Sequence, residues 1–354
     1  MRNRQSVVVS VAVAIALLLI GAVAAAASAG GTTRARTVEV RRDVRHDVSP
    51  PLRDIRAARP AAEDAGKEVK RFLPVPGIGT PFDPALQSQP GAAAAPTAGA
   101  GFEGVGAGLP GFTVDSAPPD TNGDVGPNQY FQLVNSGFAI FNKSSGAVVY
   151  GPVATNTLWA GFGGGCQTNN DGDGTVKYDR IANRWIVSQF SVSTTPYLQC
   201  VAVSTSSDPT GSYYRYAFSY GNVAFPDYPK LGVWPDANYT TYNIFNNGSA
   251  FAGAKVCAFD RASMLQGLSA SQQCFDAGSA YGGLLPSDLD GATLPPAGSP
   301  NYLLAFATNS LNLWRFHVDW GTPSNSTFTG PLNIPVAAFT PACSGGGTCI
   351  PQYA

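Results

Sequence analysis

Carboxylate and amide side chains recur in four short turns between residues 120 and 290. The turns read DTNGD, NNDGD, FPDYPK and PSDLDG, and their candidate ligands are Asp120, Asn122, Asp124, Asp171, Asp173, Asp227, Asp288 and Asp290. Oxygen ligands crowded at one place suit a hard cation such as Ca²⁺, which takes six to eight of them. If the turns converge, the sequence therefore predicts a shared calcium site. Without a cation, clustered carboxylates raise one another's pKa values.

An alternative is that these Asp side chains brace turns by accepting hydrogen bonds from backbone N–H groups. DTNGDVG has the Asp, Asn, Asp spacing that opens an EF-hand loop. However, the sixth position is Val125 rather than Gly and the twelfth is Phe131 rather than Glu. The loop is therefore not an EF-hand.

Aromatic residues are a second set of candidates, and Tyr228, Trp234 and Tyr239 are the predicted ligand contacts. Exposed rings of this kind bind sugars, although aromatic residues that alternate along strands serve packing first. Asp173 and Asp227 are a candidate carboxylate pair for glycoside hydrolysis. No catalytic residue is assigned, since residues 112–354 contain no Glu and one His, His317.

Six cysteines follow the N-terminal leader, an even number that an oxidising compartment favours. Fifteen pairings are formally possible. The closely spaced pairs Cys257 with Cys274 and Cys343 with Cys349 are the first expectation, which leaves Cys166 with Cys200. A metal site is the weaker interpretation, because the chain has no Cys-x-x-Cys motif.

The N-terminus indicates export. Arg2 and Arg4 precede an apolar run over residues 7–26, and small residues at Ala27 and Ala29 favour cleavage after Ala29. Residues 1–29 are therefore predicted to be a signal peptide, with an uncleaved membrane anchor as the alternative. No later stretch is apolar enough to cross a membrane, so the expected location is extracellular.

Residues 30–111 are predicted to be a disordered linker or propeptide. An Arg-rich, Pro-punctuated stretch is followed by a tract dominated by Gly, Ala and Pro. Neither part offers enough apolar surface to offset the entropy lost on ordering.

Composition excludes several classes of protein. The chain of 354 residues has 13% charged residues, 40 Gly and 28 Pro, which is too few charges and too many turn formers for a helical bundle. Residues 112–354 contain 9 basic and 14 acidic residues, a balance of 9 − 14 = −5. This charge argues against nucleic-acid binding, which requires a basic surface.

The region from residue 112 onward predicts an all-β fold. Short runs rich in aromatic and β-branched residues are separated by Gly, Pro, Asn and Asp. An Asn beside an aromatic residue recurs at Asn128, Asn183, Asn238 and Asn301, at spacings of 55, 55 and 63, and each opens an apolar strand. Units of about 55 residues favour blades of a β-propeller over a β-sandwich. Four blades predict an open arc of a larger ring over residues 112–354.

Longer motifs carry a resemblance. APPDTNGDVGPNQYFQLVN, CVAVSTSSDPTGSYYRYAF and FPDYPKLGVWPDANY resemble those of a family of large secreted bacterial β-propeller proteins of unassigned activity. The resemblance implies export, further blades beyond Ala354, and appended C-terminal modules. On this basis the chain looks truncated at its C-terminus. No catalytic residues can be carried over from the family.

Together these features predict a secreted propeller that binds or scaffolds an extracellular polysaccharide or protein and is stabilised by Ca²⁺. Neither nucleic acid nor a membrane beyond the signal peptide is an expected partner. The alternative is a glycoside hydrolase or another hydrolase whose catalytic residues lie partly in the missing C-terminal region.

Overall fold

A computed structural model describes residues 36–57, 99, 101–114, 116, 118–291 and 293–339. The elements described below belong to one compact unit that begins at Thr37. Two short strands come first, β1 (Glu39–Arg42) and β2 (Arg45–Val48), followed by a 3₁₀ helix at Leu52–Asp54. The predicted signal peptide and residues 58–98 lie outside the described residues.

Four antiparallel sheets follow one another along the chain. The first sheet contains β3 (Asn122–Val125), β4 (Gln129–Val134), β5 (Gly137–Asn142) and β6 (Val148–Ala154). A 3₁₀ helix (Thr155–Trp159) and α1 (Gly164–Thr168) lead to the second sheet. This sheet contains β7 (Thr175–Asp179), β8 (Arg184–Ser191), β9 (Tyr197–Ser204) and β10 (Tyr213–Gly221).

The third and fourth sheets repeat this order. The third contains β11 (Ala224–Val233), β12 (Asn238–Asn246), β13 (Ala250–Phe259) and β14 (Ser271–Gly278), with α2 (Arg261–Met264) before the last strand. The fourth contains β15 (Leu285–Pro286), β16 (Asn301–Ala307), β17 (Ser310–His317) and β18 (Thr327–Pro335), with a 3₁₀ helix at Pro323–Asn325. The all-β prediction is confirmed. Each sheet contains four consecutive strands, and β1 and β2 add a fifth strand to the third and second sheets.

The repeated Asn marks the same place in every sheet. Asn128 and Asn183 directly precede β4 and β8, whereas Asn238 and Asn301 are the first residues of β12 and β16. Each therefore opens the second strand of its sheet, as the sequence predicts.

Consecutive sheets pack face to face through apolar side chains. Phe131 of the first sheet and Trp185 of the second lie in one buried cluster, and Ile186 of the second packs in another with Val233 of the third. A third cluster joins Tyr239 of the third sheet to strands of the fourth. Alternate residues of each strand thus serve opposite faces, which is the period-two geometry of a buried sheet.

Two disulfides confirm two of the predicted pairings. Cys257 and Cys274 face each other across β13 and β14, with 4.1 Å between their Cα atoms. Cys166 in α1 is bonded to Cys200 in β9, at a Cα separation of 5.8 Å. Cys343 and Cys349 lie outside the described residues, so their pairing stays a prediction.

The linker prediction is wrong for residues 39–48. Strand β1 pairs with β14 at the edge of the third sheet, and β2 pairs with β10 at the edge of the second. The Asp47 carboxylate accepts two hydrogen bonds from the Arg215 guanidinium, at 2.8 and 2.7 Å. Glu39 also pairs with the Lys255 ammonium at 2.7 Å. This segment is anchored by backbone pairing and these two ion pairs, so it does not need the apolar content that a core strand requires.

The linker prediction is also wrong for residues 101–111, which together with Phe112 cover the outer face of the first sheet. Val105, Leu109 and Phe112 pack with Phe141 of β5. The Gln132 side chain fixes this segment, since its amide oxygen accepts a hydrogen bond from the Val105 backbone N–H at 2.7 Å. No helix within the described residues has the length and apolar character needed to cross a bilayer.

Candidate functional site

The first strands of the four sheets lie side by side. β7 contacts β3 on one side and β11 on the other, and β11 also contacts β15. At Gly232 on β11 a side chain would not fit, because its Cβ would lie 2.4 Å from the carbonyl oxygen of Ser287. The close approach of these strands brings the predicted acidic residues of different sheets together.

Acidic and amide side chains link each first strand to its neighbour. Asn122 and Asp124 on β3 accept hydrogen bonds from the backbone N–H groups of Val176 and Tyr178 on β7, both at 2.7 Å. These contacts satisfy donors on a strand that has no ladder partner on that side. The side chains therefore join the first and second sheets.

Side-chain oxygens also accept backbone N–H groups between the later sheets. Asp173, just before β7, accepts a hydrogen bond from the Tyr228 N–H on β11 at 3.2 Å. Asp288, just after β15, accepts one from the Val233 N–H on β11 at 2.8 Å. All three junctions between neighbouring first strands are thus held by a carboxylate or amide oxygen.

A cleft of about 430 Å³ opens between these strands. We call it the inter-sheet cleft, and its polar and aromatic lining comes from Asp120, Asp173, Lys177, Tyr228, Lys230 and Asp288. Carboxylates, ammonium groups and a phenol ring thus face one space. This combination offers both donors and acceptors to a polar ligand.

Asp173 is the most perturbed carboxyl of the cleft. Burial raises its pKa to about 6, and repulsion from Asp227 and Asp120 acts in the same direction. The Lys230 ammonium and the Tyr228 N–H oppose the shift without cancelling it. Part of the Asp173 population is therefore protonated near neutral pH, as in sites where carboxyls exchange protons with a ligand.

Three residues of the cleft hold left-handed backbone conformations that non-glycine residues seldom adopt. The φ angles are 41° at Asp120, 48° at Asp173 and 54° at Tyr228. Such a conformation is tolerated by Asp but is a genuine outlier for a bulky residue such as Tyr. Strain of this kind persists where surrounding contacts impose it, and it is concentrated at functional sites.

Several contacts hold this strained geometry in place. The Asn135 side chain accepts a hydrogen bond from the Asp173 N–H at 2.8 Å and donates one to the Asp120 carboxylate at 2.8 Å. The Lys230 ammonium lies 3.8 Å from the centre of the Tyr228 ring. The cleft is thus preorganised by contacts among its own residues.

A second acidic group lies further along the first strands. The Lys177 ammonium donates to the Asp288 carboxylate at 2.6 Å. Burial lowers the pKa of Lys177, but the carboxylates of Asp288, Asp124 and Asp290 outweigh it and raise that pKa. Burial raises the pKa of Asp290, and repulsion from Asp288 and Asp124 adds to the shift.

Four of the eight predicted calcium ligands, Asp120, Asn122, Asp173 and Asp288, line the inter-sheet cleft. Asp173 interacts with Asp120 and Asp227, and Asp290 with Asp288 and Asp124, whereas Asn122 is bonded to Val176. Asp171 lies apart, because its carboxylate accepts hydrogen bonds from the N–H groups of Val192 and Ser193 at 2.6 and 2.8 Å. Over the part of the chain that the structure describes, no three His, Cys, Asp or Glu residues are grouped to hold a metal ion.

Calcium binding thus stays a prediction of the sequence. The alternative, hydrogen bonding to backbone N–H groups, is what the structure shows for Asn122, Asp124, Asp171, Asp173 and Asp288.

The predicted aromatic contacts separate into one exposed and two buried residues. Tyr228 is 45% exposed at the cleft, whereas Trp234 and Tyr239 are 6% and 1% exposed in the core between the third and fourth sheets. The Trp234 indole donates to the Ser299 carbonyl oxygen at 3.1 Å, and the Tyr239 hydroxyl donates to Asp236 at 3.2 Å. Of the three, Tyr228 alone is placed to contact a ligand, because burial commits the other two rings to packing.

Lys177 and Lys230 were missed as site residues by the sequence analysis. In the strand pairing they lie opposite Ile186 and Thr241, each the third residue after the repeated Asn. Asp124 lies opposite Phe131, the equivalent position in the first sheet. The two lysines lie at different distances before the repeated Asn, so only the strand pairing aligns them with each other.

Another cleft, of about 500 Å³, lies near the opposite ends of β3 and β7. Two of its polar groups are bonded within the protein. The Lys143 ammonium donates to the Gly126 carbonyl oxygen at 3.1 Å, and the Tyr178 hydroxyl donates to Asn183 at 3.3 Å. Among its lining residues only Asn183 has a left-handed φ outside glycine. The inter-sheet cleft is therefore the stronger candidate.

The chain matches no protein-family model, no curated protein and no solved structure. Its function has to be inferred from its own geometry.

Proposed function

We propose that this protein is an extracellular binding module of propeller architecture whose inter-sheet cleft binds a carbohydrate. Three features support the propeller: four successive sheets that each contain four consecutive strands, face-to-face packing of neighbours, and first strands that lie side by side. In propellers the blades are arranged in this way around a central channel. The two disulfides are typical of an oxidising compartment, which agrees with the predicted signal peptide.

The observation that carries the proposal is the composition of the cleft around Tyr228. A half-exposed ring is held in a strained conformation beside the carboxyl of Asp173 and the ammonium of Lys230. Sugars present hydroxyl groups, which pair with carboxylates and ammonium groups, together with apolar C–H faces that pack on aromatic rings. A cleft of this size accommodates a few sugar residues, since small-ligand sites range from about 300 to 1,000 Å³.

Isothermal titration calorimetry with a panel of soluble oligosaccharides tests the proposal. A bound sugar should lose at least about tenfold in affinity on Tyr228→Ala, because the ring contributes roughly 1.5 kcal/mol or more. Asp173→Asn should weaken binding as well, since it removes a charged acceptor.

Phe251→Ala is the matched control, because Phe251 is an equally exposed aromatic residue on the β12–β13 hairpin and should leave affinity unchanged. Sugar binding that is unaffected by Tyr228→Ala and Asp173→Asn would place the site elsewhere and contradict the proposal.

Glycoside hydrolysis is a second candidate, favoured by one observation. Asp173 has a pKa of about 6 and interacts with the carboxylate of Asp227. A carboxyl that keeps its proton near neutral pH can serve as general acid, with an ionised neighbour as base or nucleophile. Release of reducing ends from polysaccharides by the purified protein, lost in Asp173→Asn, would establish this activity. Binding without turnover would support the binding module instead.

A further inference from the structure

The cleft of about 500 Å³ near the ends of β3 and β7, here called the second cleft, differs in charge from the inter-sheet cleft. Its polar side chains are Lys143, Tyr178, Arg180 and Asn183, and no carboxylate belongs to the lining that the structure describes. The inter-sheet cleft, by contrast, carries three Asp residues beside its two lysines. Two cations without an acidic neighbour in the lining favour a negatively charged ligand.

Both cations of the second cleft have N–H groups available to a ligand. Neither Arg180 nor Lys143 takes part in an ion pair among the described residues. The Lys143 ammonium uses one of its three N–H groups on the Gly126 carbonyl oxygen. Arg180 is exposed in the turn between β7 and β8. Asp290 interacts with the Arg180 charge but forms no ion pair with it, and its carboxylate would repel a dianion more than a monoanion.

The remaining polar groups add a donor and a positive potential. The Tyr178 hydroxyl donates to the Asn183 amide oxygen at 3.3 Å, so Asn183 offers its NH₂ group to a ligand. Burial raises the pKa of Tyr178, and the charges of Arg180 and Arg184 oppose that shift. Two guanidinium groups therefore act on this wall of the cleft. Guanidinium, ammonium and amide donors together match the oxygen atoms of a carboxylate.

An apolar surface borders these donors. Val125, Ile181 and Leu294 line the cleft and are 37%, 37% and 53% exposed, and Pro127 adds a fourth apolar residue. An inorganic anion has no apolar surface to bury against them. A ligand whose anionic group is attached to an apolar body gains from both parts of the lining.

We propose that the second cleft binds a small organic carboxylate with an apolar body. The Arg180 guanidinium pairs with the carboxylate, because its planar fork of N–H groups matches the two oxygen atoms. Lys143 and Asn183 donate to the remaining lone pairs, and the apolar body packs against Val125 and Ile181. The site is independent of the proposed carbohydrate site, since the two clefts share no lining residue.

Fluorine NMR on the full chain tests the proposal with 4-(trifluoromethyl)benzoate as the probe. The probe should bind with a dissociation constant of about 1 mM, as its size allows. 4-(Trifluoromethyl)benzamide has the same shape without the charge and should bind at least about tenfold more weakly. Acetate and inorganic phosphate lack the apolar body, so each should displace the probe only at concentrations at least about tenfold higher.

Arg180→Ala should weaken binding of the probe at least about tenfold, because the charged partner of the carboxylate is lost. Arg315→Ala is the matched control and should leave binding unchanged, since Arg315 is also exposed and without an ion pair among the described residues, but lies on β17. Far-ultraviolet circular dichroism should be the same for both variants.

Tyr228→Ala should also leave binding of the probe unchanged, which separates this site from the carbohydrate site. A probe that does not bind, a benzamide that binds equally well, or affinity that survives Arg180→Ala would overturn the proposal. Displacement by phosphate at the concentration of the probe would overturn its assignment to an organic carboxylate.

Discussion

At the scale of single residues, Asp173 connects the fold and the candidate site. Its carboxylate bonds to the Tyr228 N–H across the second junction, and its own N–H bonds to Asn135. Burial and the carboxylates of Asp227 and Asp120 disfavour its ionised form. Ionisation of Asp173 therefore lowers the stability of the fold, and its carboxyl can change its charge near neutral pH.

The raised pKa predicts how the free energy of unfolding depends on pH. Because the pKa of Asp173 rises from 3.8 to about 6 on folding, the folded state holds the proton more tightly than the unfolded state. The resulting stability is fully present below the unfolded pKa and is lost as pH rises through the folded pKa. In Asp173→Asn the amide oxygen can still accept the Tyr228 N–H, but the side chain no longer takes up a proton. Above pH 6 the variant should gain on the order of 2 kcal/mol relative to wild type.

Urea unfolding measured from acid to neutral pH checks this prediction. Asp276→Asn, which changes a largely exposed carboxylate on β14, should retain the wild-type pH slope. An Asp173→Asn profile parallel to that of wild type would show that this carboxyl does not titrate in the expected range.

At the scale of strands, side-chain oxygens join the first strands of neighbouring sheets. Asn122, Asp124, Asp173 and Asp288 each accept a backbone N–H from the adjacent strand. The bonds to the three Asp carboxylates have a charged acceptor, so each contributes more than the bond to the neutral Asn122 amide, roughly 1.5–3 kcal/mol. At the junctions between sheets these side chains accept backbone N–H groups, as backbone carbonyl oxygens do between paired strands within a sheet.

The role of these oxygens can be separated from calcium binding. If these carboxylates serve only as acceptors for backbone N–H groups, the melting temperature should be the same with millimolar Ca²⁺ and with chelator. Asp124→Ala should lower it under both conditions, because the Tyr178 N–H loses its acceptor. A fall in melting temperature on chelation of the wild type, absent in Asp124→Ala, would instead favour the shared cation site.

The N-terminal strand β2 adds a buried ion pair to the second sheet. The Arg215 guanidinium, 2% exposed, depends on Asp47 of β2 for its charge partner. Asp47→Ala should lower the free energy of unfolding by about 3 kcal/mol, since an unpaired charge would remain buried. Arg53→Ala, which breaks the exposed pair with Asp208, should cost at most about 1 kcal/mol. Equal effects of the two variants in denaturant melts would show that β2 does not depend on this pair.

At the scale of the whole molecule, the four sheets form a stack with one covered and one open end. The second and third sheets have packed faces on both sides, whereas the fourth has one exposed face. Local stability follows the number of buried apolar contacts. The fourth sheet should therefore open more readily than the interior sheets.

Hydrogen exchange measured by mass spectrometry checks this order. Peptides from β16 and β17 should exchange faster than peptides from β8 and β12. Equal protection from exchange in all four sheets would contradict the prediction that the fourth sheet is less stable than the interior sheets.

Local features of the chain were predictable from the sequence because they depend on near neighbours. The alternation of apolar and polar residues defines strands, and the repeated Asn at residues 128, 183, 238 and 301 marks where each second strand begins. The cysteine pairs 257 with 274 and 166 with 200 followed from spacing and elimination. None of these inferences requires knowing how one sheet lies against another.

The tertiary structure decided what depends on sheet-to-sheet packing. Residues that match along the sequence, such as Asp173 and Asp288, bond to different positions of β11, at Tyr228 and Val233, because strand register sets where neighbouring strands meet. Trp234 and Tyr239 are core residues because of the face on which the fourth sheet packs. Residues 39–48 join the sheets because an open edge pairs through backbone groups, which almost any sequence supplies. Pairing of this kind does not depend on a side-chain pattern, so it cannot be predicted from the sequence and is seen only in the folded chain.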